Sequence, residues 1–413
     1  MRISSYTEQF YFNDKSVIIS LITGAIVQFE NCIHPLKIES KEGNDYNDLL
    51  KNGIFTNLSV GDEKIYANKL FKRIWETASN GKSIVVMPTL NCNLKCSYCY
   101  QSSIRSLHKG NTLSQNEVKV IIDYMKDHNV DSICLYGGEP LLKANISVLK
   151  PILDLIIENN GTVHATTNGT QLHYFKKYLG EHCIANLQIT LDGDEESHNK
   201  LRKYHNGKGS WNMIISNIDV AVSCGSNVSI RMNANSENLE SCKNLRDKII
   251  EKYKDSNSVS CYIAVITGEL GDLSYQSDYS DSLSHPCFAK FSTTTGNAFY
   301  PSGSFCTTTS KDGGKVFGPG GIWNCWRNAG ELDSVVASYS DVMNGTIEDK
   351  VKISNLPQFS ETCQSCRYLF LCAGECYANK HECDMLTKIE YYRNNLEEQA
   401  NNFINNFNLG VAI

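Results

Sequence analysis

The chain has 413 residues, of which 41% are hydrophobic and 20% charged, and its formal net charge is −6 at pH 7. This composition is that of an ordinary globular protein of about two to three domains, and its acidic balance gives no reason to expect nucleic acid as a partner. The 17 cysteines are an odd number, which excludes complete disulfide pairing, and the chain is too long to be a small disulfide-stapled secreted protein.

The N-terminal sequence predicts the cellular compartment. Residues 1–7 contain no apolar segment of the kind found in signal peptides, and the most apolar stretch, residues 16–29, is too short to span a bilayer. We therefore expect a cytoplasmic protein with no membrane contact. Because cytosolic thiols stay reduced, metal ligation becomes the leading explanation of the many cysteines.

The first 80 residues predict a small α+β domain. Two β runs, residues 17–21 and 25–29, flank a hairpin turn at Thr23-Gly24, and residues 65–79 carry apolar side chains at helical spacing. Such a domain either packs as a cap or binds a peptide.

From residue 83 onwards, strand-like and helix-like segments alternate. The strand candidates are residues 83–88, 131–136, 163–167, 185–191, 228–234 and 258–267. The helix candidates between them are residues 114–128, 146–159, 171–179, 211–224 and 239–253. Ser114 and Glu117 have the spacing of a capping box at the first of these helices. Repeated βαβ units predict a partial (β/α)6 TIM-like barrel, with active loops after the carboxyl ends of its strands.

After residue 268 the alternation stops. The following residues are rich in glycine, serine and threonine, residues 356–383 are dense in cysteine, and residues 387–406 predict an exposed polar helix. The predicted parts are an N-terminal domain at 1–80, the barrel at 81–270, a cysteine-rich C-terminal domain at 271–386 and a terminal helix at 387–413.

A group of three cysteines follows the first predicted barrel strand. Cys92, Cys96 and Cys99 have the spacing Cys-x3-Cys-x2-Cys. Their thiolates can converge on one metal centre, and an iron–sulfur cluster held by three cysteines keeps one iron open for another ligand. A zinc site that lacks its fourth cysteine, or a set of redox thiols, is the alternative, and the spacing favours the cluster.

The sequence around these cysteines, TLNCNLKCSYCY at residues 89–100, resembles the signature of radical S-adenosylmethionine (SAM) enzymes, including Tyr98 before the last cysteine. Gly137-Gly138-Glu139-Pro140, after the second strand, matches the next motif of that family. The resemblance implies a [4Fe–4S] cluster on the three cysteines that cleaves SAM to methionine and a 5′-deoxyadenosyl radical. It also implies that the glycines and Glu139 hold the SAM amino group, since a carboxylate pairs well with an ammonium.

Other residues match positions where the family contacts SAM. The resemblance implies that Thr167 and Asn168 contact the ribose. It implies further SAM-binding groups at Tyr98, Thr190, Asp192, Arg202 and Arg231. For Arg202 and the nearby His198, polar contacts at the start of a helix are the alternative, and for Arg231 it is an ion pair lining the barrel.

The C-terminal cysteines form a second pattern. Four of them have the spacing Cys-x2-Cys-x5-Cys-x3-Cys from Cys363 to Cys376, and together with Cys306, Cys325 and Cys383 they resemble the SPASM extension of radical SAM enzymes. That extension holds two auxiliary [4Fe–4S] clusters; zinc is the alternative for an isolated Cys-x2-Cys.

The resemblance also implies how these cysteines are shared between the auxiliary clusters. One cluster would use Cys306, Cys325 and Cys376, with Cys287 as the candidate fourth ligand. The other would use Cys363, Cys366, Cys372 and Cys383. The spacings of Cys287 and Cys383 depart from the family pattern, and a three-cysteine cluster with an open site is the alternative for the first set. The remaining cysteines are interpreted as small hydrophobic core residues, namely Cys32, Cys134, Cys183, Cys224, Cys242 and Cys261.

Two kinds of SPASM oxidoreductase are then candidates. Sulfatase-maturing enzymes, which oxidise a cysteine or serine to formylglycine, typically carry an acidic residue after the cysteine equivalent to Cys325, where this chain has Trp326. Peptide-modifying members crosslink ribosomally made peptides (RiPPs) and often bind the leader by strand addition at an N-terminal domain. We expect such a peptide maturase, with a thioether as its first candidate product and a flavodoxin- or ferredoxin-type electron donor. The alternatives are a formylglycine-generating enzyme and a zinc-binding regulatory protein.

Overall fold

The computed structural model describes residues 2–13, 15–30, 44–78, 83–107, 112–266, 299–304, 306–374, 376 and 385–408. They belong to two compact units, each assembled from segments that are distant in sequence. Unit 1 comprises the described residues of Met1–Ser79, His285–Lys311 and Ile353–Ile413. Unit 2 comprises those of Asn80–Ser284 and Asp312–Lys352.

The regular elements are numbered in chain order. The strands are β1 (Arg2–Ile3), β2 (Thr7–Phe12), β3 (Lys15–Ser20), β4 (Ile26–Glu30), β5 (Phe55–Thr56), β6 (Ser83–Val86), β7 (Leu94–Cys96), β8 (Ser132–Leu135), β9 (Thr162–Thr167), β10 (Ile184–Thr190), β11 (Arg202–Tyr204), β12 (Asn227–Ala234), β13 (Val259–Val265), β14 (Val316–Gly318) and β15 (Gly321–Trp323). The helices are α1 (Asn44–Lys51), α2 (Val60–Thr77), α3 (Ser102–Leu107), α4 (Gln115–Asp127), α5 (Ile146–Glu158), α6 (Glu195–Leu201), α7 (Trp211–Ser223), α8 (Leu239–Lys252), α9 (Tyr339–Met343), α10 (Ile347–Val351), α11 (Glu361–Ser365), α12 (Leu369–Cys372) and α13 (Met385–Asn408).

Unit 2 is built on an eight-stranded sheet with the order β13-β12-β10-β9-β8-β6-β14-β15. Six of its strands, β6, β8, β9, β10, β12 and β13, pair in parallel in that order, while β7 and β11 form a separate antiparallel pair. All six predicted strands are present, and the α/β class with a partial TIM-like barrel is confirmed. The parallel strands bring their carboxyl ends to one edge of the sheet, which is where ligands bind in such folds.

The helices of unit 2 follow the predicted pattern with one change. At α4 the capping box is present, because Ser114 N donates to Glu117 Oε2 at 2.7 Å and Glu117 N donates to Ser114 Oγ at 3.3 Å. The predicted helix over residues 171–179 is a 3₁₀ helix, Leu172–Tyr178. Its buried residues recur every three positions, at Leu172, Phe175 and Tyr178, and a helix with three residues per turn places them on one face.

The hairpin β14–β15 was not predicted. β14 pairs in parallel with β6 and antiparallel with β15, and the side chains of Phe317 and Trp323 are almost completely buried. Residues 312–352 therefore pack in the barrel unit although the sequence suggested that they belong to the cysteine-rich domain. The compact units divide the chain differently from the four predicted parts, whose assignment as functional domains stays a prediction.

Unit 1 contains a three-stranded antiparallel sheet with the order β2-β3-β4. β3 and β4 correspond to the predicted hairpin, and β2 is an additional strand. At the turn between β3 and β4, Gly24 has φ +76°, and a Cβ there would overlap the carbonyl group of Phe299. Ser59 caps α2 by accepting a hydrogen bond from Asp62 N at 3.1 Å.

The C-terminal helix α13 corrects one prediction. It is amphipathic rather than an exposed polar helix, because it buries Tyr392, Leu396, Ala400 and Ile404 in the core of unit 1. These residues recur every four positions and form one apolar stripe, which the many polar residues around them obscure in the sequence. Within the described ranges, no helix combines the length and apolarity needed to cross a membrane.

Candidate active site at the carboxyl ends of the barrel strands

The three-cysteine loop follows β6 directly. Within it, β7 pairs antiparallel with β11, so that the backbone of Cys96 lies opposite that of Arg202. Cys99 N donates to Cys96 O at 3.3 Å, which closes a turn between these two cysteines. Cys92, Cys96 and Cys99 are all partly exposed.

The glycines after β8 allow two loops to touch. Gly138 N donates to Thr89 O at 3.2 Å and Glu139 N donates to Asn91 O at 2.8 Å, just before the first cysteine of the motif. A Cβ on Gly138 would overlap the carbonyl oxygens of Leu90 and Asn91, and Gly137 has φ +123°. Glycine is therefore required here by the backbone that carries the cysteines.

Glu139 joins the ends of β8 and β9. Its buried carboxylate accepts hydrogen bonds from Thr167 Oγ1 at 2.6 Å, Asn168 N at 2.6 Å and Leu141 N at 2.9 Å. Burial raises the pKa of this carboxyl group, and the three donors oppose that effect. Glu139, Thr167 and Asn168, which the sequence assigned to SAM, are thus neighbours in the structure.

Asn168 extends this cluster to the first cysteine. Its Nδ2 donates to Asn93 Oδ1 at 2.8 Å and lies 3.7 Å from Cys92 Sγ. Asn93 Nδ2 in turn donates to Thr170 Oγ1 at 2.9 Å. Asn93 and Thr170 were not predicted as site residues. Asn93 lies within the cysteine motif, and this position could have identified it as a site residue.

A second polar cluster surrounds the Tyr98 hydroxyl. This hydroxyl donates to Asp192 Oδ2 and accepts hydrogen bonds from Arg202 Nη1 at 2.7 Å and Asn233 Nδ2 at 3.0 Å. Asp192 Oδ1 accepts from Asn233 N at 2.8 Å. Burial raises the pKa of the Asp192 carboxyl, and the Arg202 charge opposes this shift. The structure therefore brings Tyr98, Asp192 and Arg202 together, with Asn233 as a member that the sequence did not indicate.

His198 supports the same cluster from α6. Its Nδ1 accepts from Asp192 N at 3.2 Å, and its Nε2 lies 2.9 Å from Ser210 Oγ. Ser210 Oγ donates to Arg202 O at 2.6 Å. Complete burial lowers the pKa of the imidazole well below its usual range, which keeps the ring neutral. These contacts fit the alternative interpretation of His198 as a structural residue.

The remaining predicted SAM contacts lie at the same edge of the sheet. Thr190, the last residue of β10, is buried, and Arg231 on β12 is partly buried. Arg231 Nε donates to Asn233 Oδ1 at 2.8 Å. The Arg231 charge lies close enough to lower the pKa of Tyr136, although burial raises it more.

Three aromatic residues form a surface beside the three-cysteine loop, and none of them was predicted as part of the site. The hydroxyls of Tyr100 and Tyr136 lie 2.5 Å apart, and the rings of Tyr136 and Trp326 have their centroids 5.1 Å apart. Tyr100 and Trp326 are 50% and 47% exposed, respectively, so this aromatic surface is open to solvent. Tyr136 directly precedes Gly137, which locates the surface at the carboxyl end of β8.

The predicted auxiliary ligands are distributed over both units. Cys325 is buried in unit 2, two residues after β15. The predicted ligands in unit 1 are partly exposed, namely Cys306, Cys363, Cys366, Cys372 and Cys376. In unit 1, Cys366 N donates to Cys363 O at 3.0 Å, a turn that holds the Cys-x2-Cys pair together. Cys287 and Cys383 lie outside the described residues, and both ligand sets stay predictions.

Most of the other cysteines agree with a packing role. Burial raises the pKa of the Cys134 and Cys183 thiols to about 12, and it also raises the pKa of Cys242. Such thiols are poor nucleophiles and poor ligands. Cys224 and Cys261 are partly buried, and Cys32 lies outside the described residues.

Residues 86–249 match the family profile of the Radical SAM superfamily. The chain contains a radical SAM domain. That domain coincides with the part of unit 2 that holds the three cysteines, the glycine loop and both polar clusters. It favours the enzyme over the zinc-binding regulatory protein.

Two curated relatives are similar to this chain over less than half of its length. One is an Fe-coproporphyrin III synthase of Methanosarcina barkeri, 26% identical over 188 residues, which are 45% of this chain and 45% of that protein. The other is a GTP 3′,8-cyclase of Staphylococcus epidermidis, 30% identical over 158 residues, which are 37% of this chain and 45% of that protein. The chain thus spans less than half the length of the curated relatives that it matches.

Two solved structures share the fold over much more of the chain. Native anSMEcpe with bound AdoMet and Cp18Cys peptide superposes with a TM-score of 0.53 at 17% identity, covering 80% of this chain and 99% of that one. Streptococcus suis SuiB superposes with a TM-score of 0.50 at 15% identity, covering 92% of this chain and 96% of that one. These similarities show a common fold that extends beyond the radical SAM domain.

A radical SAM domain implies a [4Fe–4S] cluster and SAM, and the types of residue at this edge of the sheet suit these groups. Three soft thiol donors follow the first parallel strand, Asn168 places a donor beside the Cys92 sulfur, and Gly137 and Gly138 keep the backbone around the loop free of side chains. Within the described part of the chain, no three His, Cys, Asp or Glu side chains are grouped so as to hold a single metal ion. The assignment of Cys92, Cys96 and Cys99 to the cluster therefore rests on their motif and its place in the fold.

Proposed function

We propose that this radical SAM enzyme is a maturase that installs a crosslink, first of all a thioether, in a ribosomally made precursor peptide. The observation that carries this proposal is Trp326, which follows Cys325 where formylglycine-generating enzymes typically have an acidic residue. Its ring packs against Tyr136 at a centroid distance of 5.1 Å. An indole has no basic group, whereas it offers a flat apolar surface to a substrate side chain.

The sheet of unit 1 supports a peptide substrate. One terminal strand of this sheet is β2, where Arg367 already donates a hydrogen bond to Thr7 O and pairs with Glu8 at 2.9 Å. β4 pairs with β3 and is the other terminal strand of this sheet within the described ranges. A leader that joins a terminal strand would gain backbone hydrogen bonds without requiring a particular sequence. The structure of SuiB bound to the precursor peptide SuiA superposes on 92% of this chain.

The proposed reaction balances with SAM as the oxidant. A substrate carbon loses a hydrogen atom, which ends in 5′-deoxyadenosine, and a substrate thiol loses a proton as the C–S bond forms. The electron that starts SAM cleavage is returned when that bond forms, so a flavodoxin- or ferredoxin-type donor starts the reaction without being consumed. The protein binds and orients the peptide and excludes water, while the cofactors carry the difficult chemistry.

The proposed auxiliary clusters would accept that electron or bind the substrate thiol. We assign one to Cys306, Cys325 and Cys376, with or without Cys287, and the other to Cys363, Cys366, Cys372 and Cys383. If Cys287 is not a ligand, the first cluster keeps an open iron for the thiol.

Formylglycine formation is the second candidate function. The anSMEcpe structure, whose fold this chain shares over 99% of that chain, contains bound AdoMet and Cp18Cys peptide, which supports a peptide substrate for this candidate as well. Trp326 argues against formylglycine formation.

Anaerobic incubation with SAM, a low-potential reductant and either a short cysteine-containing candidate precursor from the same gene neighbourhood or a sulfatase-derived cysteine peptide separates the two functions. We expect the candidate precursor to lose two hydrogen atoms per crosslink, with the loss mapped by tandem mass spectrometry to a cysteine and a second residue. Conversion of the sulfatase-derived cysteine peptide to formylglycine, with the candidate precursor unchanged, would instead establish the second function.

A further inference from the structure

The two clusters of the site engage the cysteine loop differently. The Glu139–Asn168 cluster touches the loop near Cys92, whereas the Tyr98 hydroxyl lies between Cys96 and Cys99 in sequence and contacts three elements of the barrel. Asp192 follows β10, Arg202 begins β11 and Asn233 belongs to β12. The Tyr98 side chain thus connects the cysteine loop by hydrogen bonds to β11, to β12 and to the segment after β10.

The hydrogen-bonding capacity of the Tyr98 hydroxyl is used up by these contacts. A phenol has one proton to donate, which goes to Asp192, and its two acceptor positions receive Arg202 Nη1 and Asn233 Nδ2. No capacity is left for a cofactor atom. Asp192 is similarly engaged, through Tyr98 at one oxygen and Asn233 N at the other, and it is completely buried.

Arg202 places a positive charge at the same position. Its side chain is 8% exposed, and its Nε lies 4.0 Å from Asp192 Oδ2. This Nε–H is buried and makes no hydrogen bond within the described part of the chain. Because the backbone of Arg202 pairs with that of Cys96, the guanidinium lies beside the segment that carries a predicted ligand of an anionic cluster.

We propose that Tyr98, anchored by Arg202, is a positioning residue whose hydroxyl fixes the Cys96–Cys99 turn for cluster binding rather than contacting SAM. This assignment departs from the resemblance, which gave Tyr98 to SAM. It requires the radical SAM domain and its cluster, and it is independent of the proposed peptide substrate.

The test uses Tyr98→Phe, which removes only the hydroxyl, and Tyr253→Phe as the matched control. Tyr253 also donates to an aspartate, Asp219 at 2.6 Å, but on an exposed surface of the same unit. In metal-free protein, hydrogen exchange reports the turn directly, because Ser97 N donates to Leu201 O and Cys99 N to Cys96 O. We expect these amides to exchange about tenfold faster in the Tyr98 variant, with α4 unchanged, and no change in the control.

In reconstituted protein, iron release to a chelator should be about tenfold faster in Tyr98→Phe, as for other residues that orient metal ligands, while SAM affinity stays within about twofold of wild type. Unchanged exchange together with a tenfold loss of SAM affinity would overturn the proposal and make the hydroxyl a SAM contact. Asn233→Ala, which removes one partner of the hydroxyl, should act in the same direction, and the double variant should equal the stronger single one. Additive effects would show that the two residues act separately and would also contradict the proposal.

Discussion

Arg202 donates a hydrogen bond to the hydroxyl of Tyr98 at 2.7 Å, although the two residues come from different loops of the barrel. Asp192 completes the contact, so that the partly buried phenol of Tyr98 meets a buried cation and a buried carboxylate. This hydrogen bond connects the cysteine motif to β11, for which the sequence left either SAM binding or structural contacts as the role of Arg202. The site is therefore held by a polar network as well as by backbone pairing.

Arg202→Met should destabilise the protein, because it leaves the buried Asp192 carboxylate without its cation. Breaking one side of a buried ion pair costs about 3–5 kcal/mol. Arg202→Lys keeps the charge but loses the planar fork, and we expect about half that loss. Urea unfolding of the metal-free variants measures both effects. Equal stability of wild type and Arg202→Met would show that Asp192 needs no cation.

Gly138→Ala should weaken the contact between the glycine loop and the cysteine loop. The added Cβ would overlap two carbonyl oxygens, which must move away together with the backbone leading to Cys92. We expect a loss of about 1–3 kcal/mol in unfolding free energy and a lower iron content after reconstitution. Gly61→Ala is the control, since Gly61 lies in α2 and its Cβ would meet no atom closer than 4.0 Å. Normal iron content in Gly138→Ala would contradict the close packing of these loops.

The stability of the protein should fall as the solution is acidified, in part because of His198. Burial lowers the pKa of this ring, so the unfolded chain takes up a proton near pH 6.5 that the folded chain does not bind. Stability from this group is therefore complete above about pH 6.5 and decreases below it by up to about 1.4 kcal/mol per pH unit. Urea unfolding at about pH 7.5 and about pH 5.5 should show a weaker dependence in His198→Asn than in wild type. The exposed His182 provides the surface control His182→Asn. An unchanged dependence in His198→Asn would refute the assignment.

Trp326→Ala should reduce turnover of the peptide while SAM cleavage without peptide is retained. The variant removes the outer ring of the aromatic surface on Tyr136, and a ring contact contributes about 0.5–1.5 kcal/mol. We expect KM for the peptide to rise about two- to tenfold and to recover in Trp326→Phe. A peptide KM that does not change in Trp326→Ala would remove this surface from the substrate site.

Much of the fold follows from local sequence. The βαβ repeats from β6 to β13 are visible because buried strands and amphipathic helices have different periods. The capping box of Ser114 and Glu117 fixes the start of α4 in the same local way. The β14–β15 hairpin could not be predicted from local sequence, because its strands have three residues each and β14 is placed by pairing with the distant β6. The polar composition of α13 concealed an apolar stripe that only packing reveals.

The candidate site also contains residues that the sequence indicates and residues that only the structure reveals. Cys92, Cys96 and Cys99 and the glycine loop are contiguous motifs, and the sequence indicates them. Asn233 and Tyr136 are single residues at strand ends; Tyr136 adjoins the glycine loop, but neither side chain belongs to a recognised motif. Their roles arise from the parallel sheet, which gathers the carboxyl ends of β8, β10 and β12 at one edge. The assignment of Tyr98 by its motif alone likewise missed the three partners of its hydroxyl.

The most direct test of the account compares wild type with the triple variant Cys92→Ala, Cys96→Ala, Cys99→Ala after anaerobic reconstitution with iron and sulfide. Both proteins are assayed for bound iron and for 5′-deoxyadenosine formed from SAM with a low-potential reductant. We predict that the variant has about four fewer iron atoms per chain and forms no 5′-deoxyadenosine, whereas wild type forms it. Formation of 5′-deoxyadenosine by the triple variant, or a wild-type protein that binds zinc and no iron, would contradict the account.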